Sequence, residues 1–182
     1  MKGKSRIQEP ESRSQNPDIQ SQIPNPRSPN VCRQVQSESE LEECYRIREK
    51  VFVEEQRLFS GTDRDEHDPE AIHIAAFQEG RIIGTVRIYQ EGGGIWFGGR
   101  LAVLKGFRGK AGRLLIKKAV ETAMGKNTER FLAYIQVRNV PFFKRCGWSI
   151  VSEVLDYHGV PHQLMEADLH KELKDSRVQE LK

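Results

Sequence analysis

The residues whose types and spacing suggest chemistry are densest in one run, residues 95–124 (IWFGGRLAVLKGFRGKAGRLLIKKAVETAM). Within it, Gly106, Gly109 and Gly112 alternate with Arg108, Lys110 and Arg113. A glycine-rich turn that opens a helix offers unpaired backbone N–H groups and the positive end of the helix dipole, which together bind phosphate. The three cations add mobile positive charge at the same point. Spacing alone leaves two readings open: a polyphosphate site, or an ordinary strand–turn–helix whose basic residues are merely solvated.

Other side chains can move protons or hold charge. Glu54 and Glu55 close the first helical region, and a carboxylate acting directly or through water can deprotonate an ammonium. His73 alternates with Ile72 and Ile74 and so faces away from their side. His67, His162 and Glu166 lie in segments able to reach a shared cleft. Imidazole suits a general base near neutral pH, although a lone histidine in a strand is more often structural. Asp65 and Asp68 can bind an ammonium or pair with Arg48 and Arg87, and the pairing is favoured because ion-pair networks perturb charges as readily as active sites do. Arg100 stands inside an apolar strand and needs a partner on burial; a substrate carboxylate and an acidic side chain serve equally.

These residues need elements to position them. Residues 31–35 form a first strand, and Ser37 to Glu40 resembles a capping box that opens a helix carrying Leu41, Cys44, Tyr45, Arg48 and Phe52 along one side. That helix, or a second one after a bend, continues towards Phe59. Residues 60–70 read as an acidic loop without apolar anchors. Residues 71–77 and 81–89 are two strands joined by the hairpin turn Glu79-Gly80. After Gly92-Gly93-Gly94 comes the strand that ends Leu101-Ala102-Val103, then the glycine turn, then a helix with Ile116, Ala119, Val120 and Ala123 at helical spacing. Residues 131–137 form a strand, 139–146 a short helix or turn, and 148–156 and 163–169 the last two strands. The order specifies a mixed α+β domain over 31–170. It is flanked by a Ser-, Gln-, Asn- and Pro-rich tail, 1–30, expected to be disordered, and by a charged tail, 171–182.

Composition narrows the function. The net charge of +3 is too small to argue for nucleic acid, and no stretch has the apolar length of a membrane span. With no signal-peptide apolar region at the start, a cytoplasmic protein is expected. The three cysteines, Cys32, Cys44 and Cys146, are odd in number and lack metal-type spacing, so reduced thiols and no metal are expected.

The pattern resembles the GCN5-related N-acetyltransferase (GNAT) superfamily over roughly residues 31–169. The resemblance rests on the apolar strand followed by Arg108-Gly109-Lys110-Ala111-Gly112-Arg113-Leu114-Leu115, and on Asn139, Phe143 and Gly147-Trp148 downstream. The runs DRDEHD, AIHIAAF, WFGGRLAV and PHQLMEADL look like a bacterial group, the nitrogen-starvation N-acetyltransferases. The resemblance implies a central, mostly antiparallel twisted sheet of about six or seven strands flanked by about four helices, with a splay between the fourth and fifth strands. It also implies acetyl-CoA or another acyl-CoA, held by Leu101, Ala102, Val103, Arg108, Gly109, Lys110, Ala111, Gly112, Arg113, Asn139 and Phe143. The acceptor would be a small-molecule amine attacking directly in a ternary complex, the base drawn from Glu55, His73 and His162, and the protein a monomer or homodimer. Two departures stand out. The phosphate turn is one residue short with Ala111 at a common glycine position, and Phe143 replaces a tyrosine that would protonate the thiolate.

Arg48, Phe52, Asp65 with Asp68, Arg87 and Arg100 also parallel the charged signature of acyl-homoserine-lactone synthases, and would line the acceptor pocket. Phe97, Gly99 and Leu58 stand where that family has a glutamate, a serine and a tryptophan. A synthase-like transferase of longer acyl groups is therefore the runner-up, followed by a non-catalytic acyl-CoA-binding module.

Overall fold

The computed structural model describes residues 30–157 and 159–170, so the two expected tails lie outside the described residues except for Asn30. Seven strands form one sheet: β1 (Val31–Gln34), β2 (Ile72–Gln78), β3 (Arg81–Gly92), β4 (Ile95–Val103), β5 (Arg130–Gln136), β6 (Trp148–Tyr157) and β7 (Val160–Ala167), in the order β1-β2-β3-β4-β5-β7-β6. Every neighbouring pair is antiparallel except β4 with β5. Among the described residues three α-helices accompany the sheet, α1 (Glu38–Arg48), α2 (Arg108–Met124) and α3 (Val140–Arg145), where about four were expected. In place of a separate second helix, a π-helical segment, Glu49–Glu55, carries α1 onward.

Local signals explain several boundaries. Ser37 caps α1, its Oγ accepting the Glu40 N–H at 3.3 Å, while the Glu40 carboxylate takes the Gln36 N–H at 2.9 Å. Such a cap is worth about 1 kcal/mol. Glu79 (φ 49°) and Gly80 (φ 78°) form a two-residue hairpin turn whose paired positive φ values match the strand twist. The α2 helix places Ala111, Leu115, Ile116, Ala119, Val120 and Ala123 on one buried stripe. That stripe packs on Ile74, Val86, Ile88, Phe131, Ala133 and Ile135 of the sheet. On the opposite sheet face, Ala75 and Ala102 meet Cys44, Ile47, Val51 and Phe52 of α1 and the π segment.

The sheet is split at its centre. β4 pairs with β5 only over residues 95–98 against 130–133. Beyond Gly98, β4 stays with β3, whereas β5 pairs with β7 as far as Gln136 opposite His162. A bulge drives the divergence: Thr85 faces Ala102 but Arg87 faces Gly99, so Val86 alone opposes both Arg100 and Leu101. Arg100 sits at φ 53°, and a bulge of this kind bends the strand that carries it. The expected splay between the fourth and fifth strands is therefore present, with a local cause that the apolar pattern of β4 does not reveal.

The glycine turn departs from expectation. A 3₁₀ turn, Lys105–Phe107, leads directly into α2, so the helix opens at Arg108 and Gly109, Lys110, Ala111 and Gly112 lie within its first turns. Ala111 is fully buried against the core, so its methyl group does not crowd a ligand at the helix start.

Close packing makes one position diagnostic. A Cβ on Gly84 would lie 3.0 Å from the Ala102 carbonyl, 3.0 Å from Val103 Cγ2 and 3.1 Å from Leu115 Cδ1. Gly84→Val is expected to destabilise the fold by about 1–3 kcal/mol through overpacking. The check is urea denaturation, and an unchanged midpoint would show that β3 and α2 are not in this contact.

Candidate functional site

The split opens into a cavity of about 620 Å³. Strand register decides which side chains enter it from each face. His73, Arg87, Tyr89, Phe97 and Gly99 are cross-strand partners in successive pairs and share one face, which Tyr134, Gln136 and His162 extend across β5 and β7. Val86, Gly98, Phe131, Ala133 and Ile135 occupy the other face, against α2. Residues from both faces line the cavity, which therefore passes through the sheet at the split.

A buried ionic cluster builds the first face. Arg48 Nε donates to Asp63 Oδ2 at 2.8 Å, and its Nη1 and Nη2 donate to the Asp68 carboxylate at 2.5 and 2.9 Å. Arg87 reaches Asp65 at 2.6 and 2.5 Å and Asp68 at 2.7 Å. Arg100 donates to the Asp63 carbonyl at 3.0 Å and to Asp65 Oδ2 at 2.9 Å. Arg48, Asp63, Asp68 and Arg87 are all at most 5% exposed. Three guanidinium groups and three carboxylates thus neutralise one another inside the protein.

Burial raises the proton affinity of Asp68 and Asp65, but the hydrogen bonds and charges of their arginine partners outweigh it. Both carboxyls titrate below the ordinary carboxylate range. For Arg48 and Arg87 burial acts in the opposite direction and is again overcome by the aspartates, so both bind their protons more tightly than a free arginine. Asp65, Asp68, Arg48 and Arg87 are thus charged at neutral pH.

Each expected site residue can now be placed. Phe52, Asp65, Arg87 and Arg100 line the cavity. Arg48 and Asp68 do not; they lie behind it, and their role in the wall is corrected to supporting Asp65 and Arg87. Asp65 accepts from Arg87, Arg100 and the His67 N–H, which leaves it no vacant lone pair for an acceptor ammonium. The acidic stretch 60–70 is a largely exposed loop anchored by charge: Asp63, unassigned in the sequence, is 2% exposed and joins Arg48 to Arg100.

Two candidate bases fall away. His73 is buried at the back of the cluster, its Nε2 3.1 Å from the Asp68 carbonyl, and does not reach the cavity. Burial pushes its pKa down, with Arg48 and Arg87 adding to the effect and Asp68 opposing it. Glu55 is paired with Arg108 on the outside and does not line the cavity. His162 does line it. Its Nδ1 lies 2.8 Å from the Val160 carbonyl, which can only accept, so Nδ1 carries a proton in that bond.

The residues expected to hold acyl-CoA fall in three places: the β4 edge, the start of α2 and, for Asn139 and Phe143, the cavity wall. The Leu104 N–H bonds the Ile83 carbonyl, so by the alternation of an antiparallel ladder Ala102 turns its backbone to β3 while Leu101 and Val103 turn theirs to the side β5 has vacated. Ala102, whose side chain packs towards α1, is therefore corrected from ligand contact to scaffold. Next to this edge, no side chain caps the first turn of α2, and a depression of about 250 Å³ runs along Lys105 to Lys110. Arg113 is exposed nearby. Arg108 is already engaged, by Glu55 and by the Val103 carbonyl at 3.2 Å. Asn139 and Phe143 line the inner cavity.

Known proteins share this architecture. Residues 37–148 match the model of the acetyltransferase (GNAT) family. The uncharacterized N-acetyltransferase YjcF of Bacillus subtilis is 32% identical over 137 residues, 72% of this chain and 95% of its own. The crystal structure of Escherichia coli ElaA superposes with a TM-score of 0.68 at 25% identity, covering 76% of this chain and 99% of that one. A CoA-dependent acyl-homoserine lactone synthase, BjaI, solved with SAM and isopentyl-CoA, shares the fold at TM-score 0.69 and 17% identity over 81% of this chain and 87% of its own.

The cluster predicts an acid limb of stability. Because the folded pKa values of Asp65 and Asp68 are lowered, their contribution is complete above the unfolded value of about 4 and is lost as pH falls through the folded values. Asp68→Asn is expected to cost about 3–5 kcal/mol at pH 7, since it leaves Arg48 and Arg87 short of a counter-charge, and to flatten that limb. Denaturation curves at neutral and acid pH check this; a variant as stable as the wild type at pH 7 would contradict it.

Proposed function

The chain belongs to the acetyltransferase (GNAT) family and is an acyl-CoA-dependent N-acyltransferase, and from that premise we propose that it transfers an acetyl group from acetyl-CoA to a primary amine of a small molecule. The observation that carries this reading is the split itself: Leu101 lines the cavity on the β4 edge that β5 leaves, and the uncapped start of α2 follows Val103 after one 3₁₀ turn. When bound, acetyl-CoA supplies the thioester whose carbonyl carbon the amine attacks, an amide C–N bond forming as the C–S bond breaks and the sulfur leaves as the thiol.

The chain's own residues have distinct tasks in this reading. Leu101 and Val103 hydrogen-bond the pantetheine arm, and the first-turn amides of Gly109 and Lys110 receive the pyrophosphate, with Lys110 and Arg113 adding charge. Asn139 and Phe143 wall the inner end. Phe143 has no proton to give, so water completes the thiol. His162 Nε2 takes the proton of the attacking amine, its tautomer held by the Val160 carbonyl. Asp65, Arg87 and Arg100 shape the acceptor wall. Residues 31–170 act as one catalytic domain, in the cytoplasm, as a monomer or homodimer.

A second reading, transfer of longer acyl groups, has an observation of its own. The cavity continues behind the sheet between Ile116, Ala119, Phe131, Phe143 and Trp148, an apolar extension that two carbons do not fill.

Thiol release from acetyl-CoA and from medium-chain acyl-CoAs, measured with a panel of amines, separates these readings. Acetyl-CoA is expected to give release that depends on the amine. Faster release from a medium-chain donor would establish the second reading, and CoA binding without release from any pair would leave only a binding module. His162→Gln is expected to lower kcat by about 100-fold or more and to leave CoA affinity unchanged. An unaltered kcat would remove His162 from the mechanism.

A further inference from the structure

The acceptor face carries a row of rings that the acyl-CoA path does not use, although Arg87 of the ionic cluster stands over one of them, 5.5 Å from the Tyr89 centroid. Tyr89 and Phe97 are direct cross-strand partners on β3 and β4, and Tyr134 continues the same face on β5. Their planes are nearly parallel: Tyr89 to Phe97 is 6.0 Å between centroids at 18°, and Phe97 to Tyr134 is 5.9 Å at 23°. At the far end His67 stacks on Tyr89 at 4.1 Å and 15°. All four line the cavity, with Phe59 and Tyr157 across from them. The row ends beside the split, with His162 on the neighbouring strand. Tyr134 is 46% exposed there, unusual for an aromatic ring inside a cavity.

Charge in the same chamber is already spent. Asp65 and Glu66 are the carboxylates that line it. Every Asp65 oxygen is engaged, and Glu66 turns outward with its side chain 84% exposed. The wall thus offers little to the several ammonium groups of a polyamine or the hydroxyl-rich surface of an amino sugar. It offers ring faces. Aromatic pairs add attraction beyond their buried area.

We propose that the acceptor is an arylalkylamine, a primary amine on a short alkyl arm whose flat ring lies along the His67–Tyr89–Phe97–Tyr134 row while its nitrogen reaches the split beside His162. This inference rests on the transferase reading and names the substrate class of the same site.

The test compares 2-phenylethylamine with 2-cyclohexylethylamine, which keeps the amine and the apolar bulk but lacks π electrons, and with spermidine. Binding to CoA-loaded protein, followed by calorimetry, reads recognition without turnover, and thiol release from acetyl-CoA reads transfer. Phenylethylamine is expected to bind about threefold to tenfold more tightly than its saturated counterpart, the scale of one aromatic contact, and more tightly than spermidine. Tyr134→Leu is expected to erase that preference without changing affinity for CoA. Equal binding of the two ring amines, tighter binding of spermidine, or a preference that survives Tyr134→Leu would overturn the proposal. Preferential binding of phenylethylamine without thiol release would uphold the aromatic site and overturn the transferase reading instead.

Discussion

Six charged side chains, four of them at most 5% exposed, hold this structure's functional half together. Arg48, Arg87 and Arg100 come from α1, β3 and β4, while Asp63, Asp65 and Asp68 come from one short stretch between the π segment and β2. Ionised groups placed in a protein interior are tolerated only when paired and hydrogen-bonded. Here the pairing is nearly complete, so the stretch 60–70 cannot lift away without stranding three arginines. The constraint also acts on the backbone. Arg100 occupies a left-handed conformation that costs a non-glycine residue on the order of 1–3 kcal/mol, and its bonds to Asp63 and Asp65 hold it there.

That local distortion propagates into function. The bulge at Arg100 turns β4 away from β5, and the separation frees the backbone edge at Leu101 and Val103. A continuous sheet would have consumed those hydrogen-bonding groups and closed the cavity. His162, at the end of the β5–β7 ladder and also paired with Leu155 of β6, lines the same opening. One ionic cluster therefore fixes the acceptor wall, and through the bulge it also opens the path for the acyl donor.

Much of this was legible in the sequence. Apolar periodicity gave the strands and the buried stripe of α2, Ser37 with Glu40 marked the start of α1, and the Glu79-Gly80 pair marked the hairpin, because each signal acts over a few residues. The pairing of Arg48 and Arg87 with Asp65 and Asp68 was also readable, since buried arginines in apolar elements demand counter-charges. Asp63 was not, because nothing in SGTDRDEHDPE distinguishes an aspartate that folds inward from one that stays solvated. The bulge at Arg100 depends on register between β3 and β4, which no local pattern encodes. Glu55 and His73 failed as bases for a similar reason: their partners, Arg108 and the Asp68 carbonyl, are brought to them only by the tertiary fold.

The central claim is that the opening between β4 and β5 and the start of α2 together form the acyl-CoA site. Amide hydrogen exchange with and without CoA tests it most directly, because it reports individual backbone N–H groups and needs no acceptor. Binding should slow exchange at Leu101 and Val103 and at Gly109 and Lys110, while the β1–β2 pairing at the far edge stays unchanged. Protection confined to any other part of the sheet, with these amides unaffected, would contradict it.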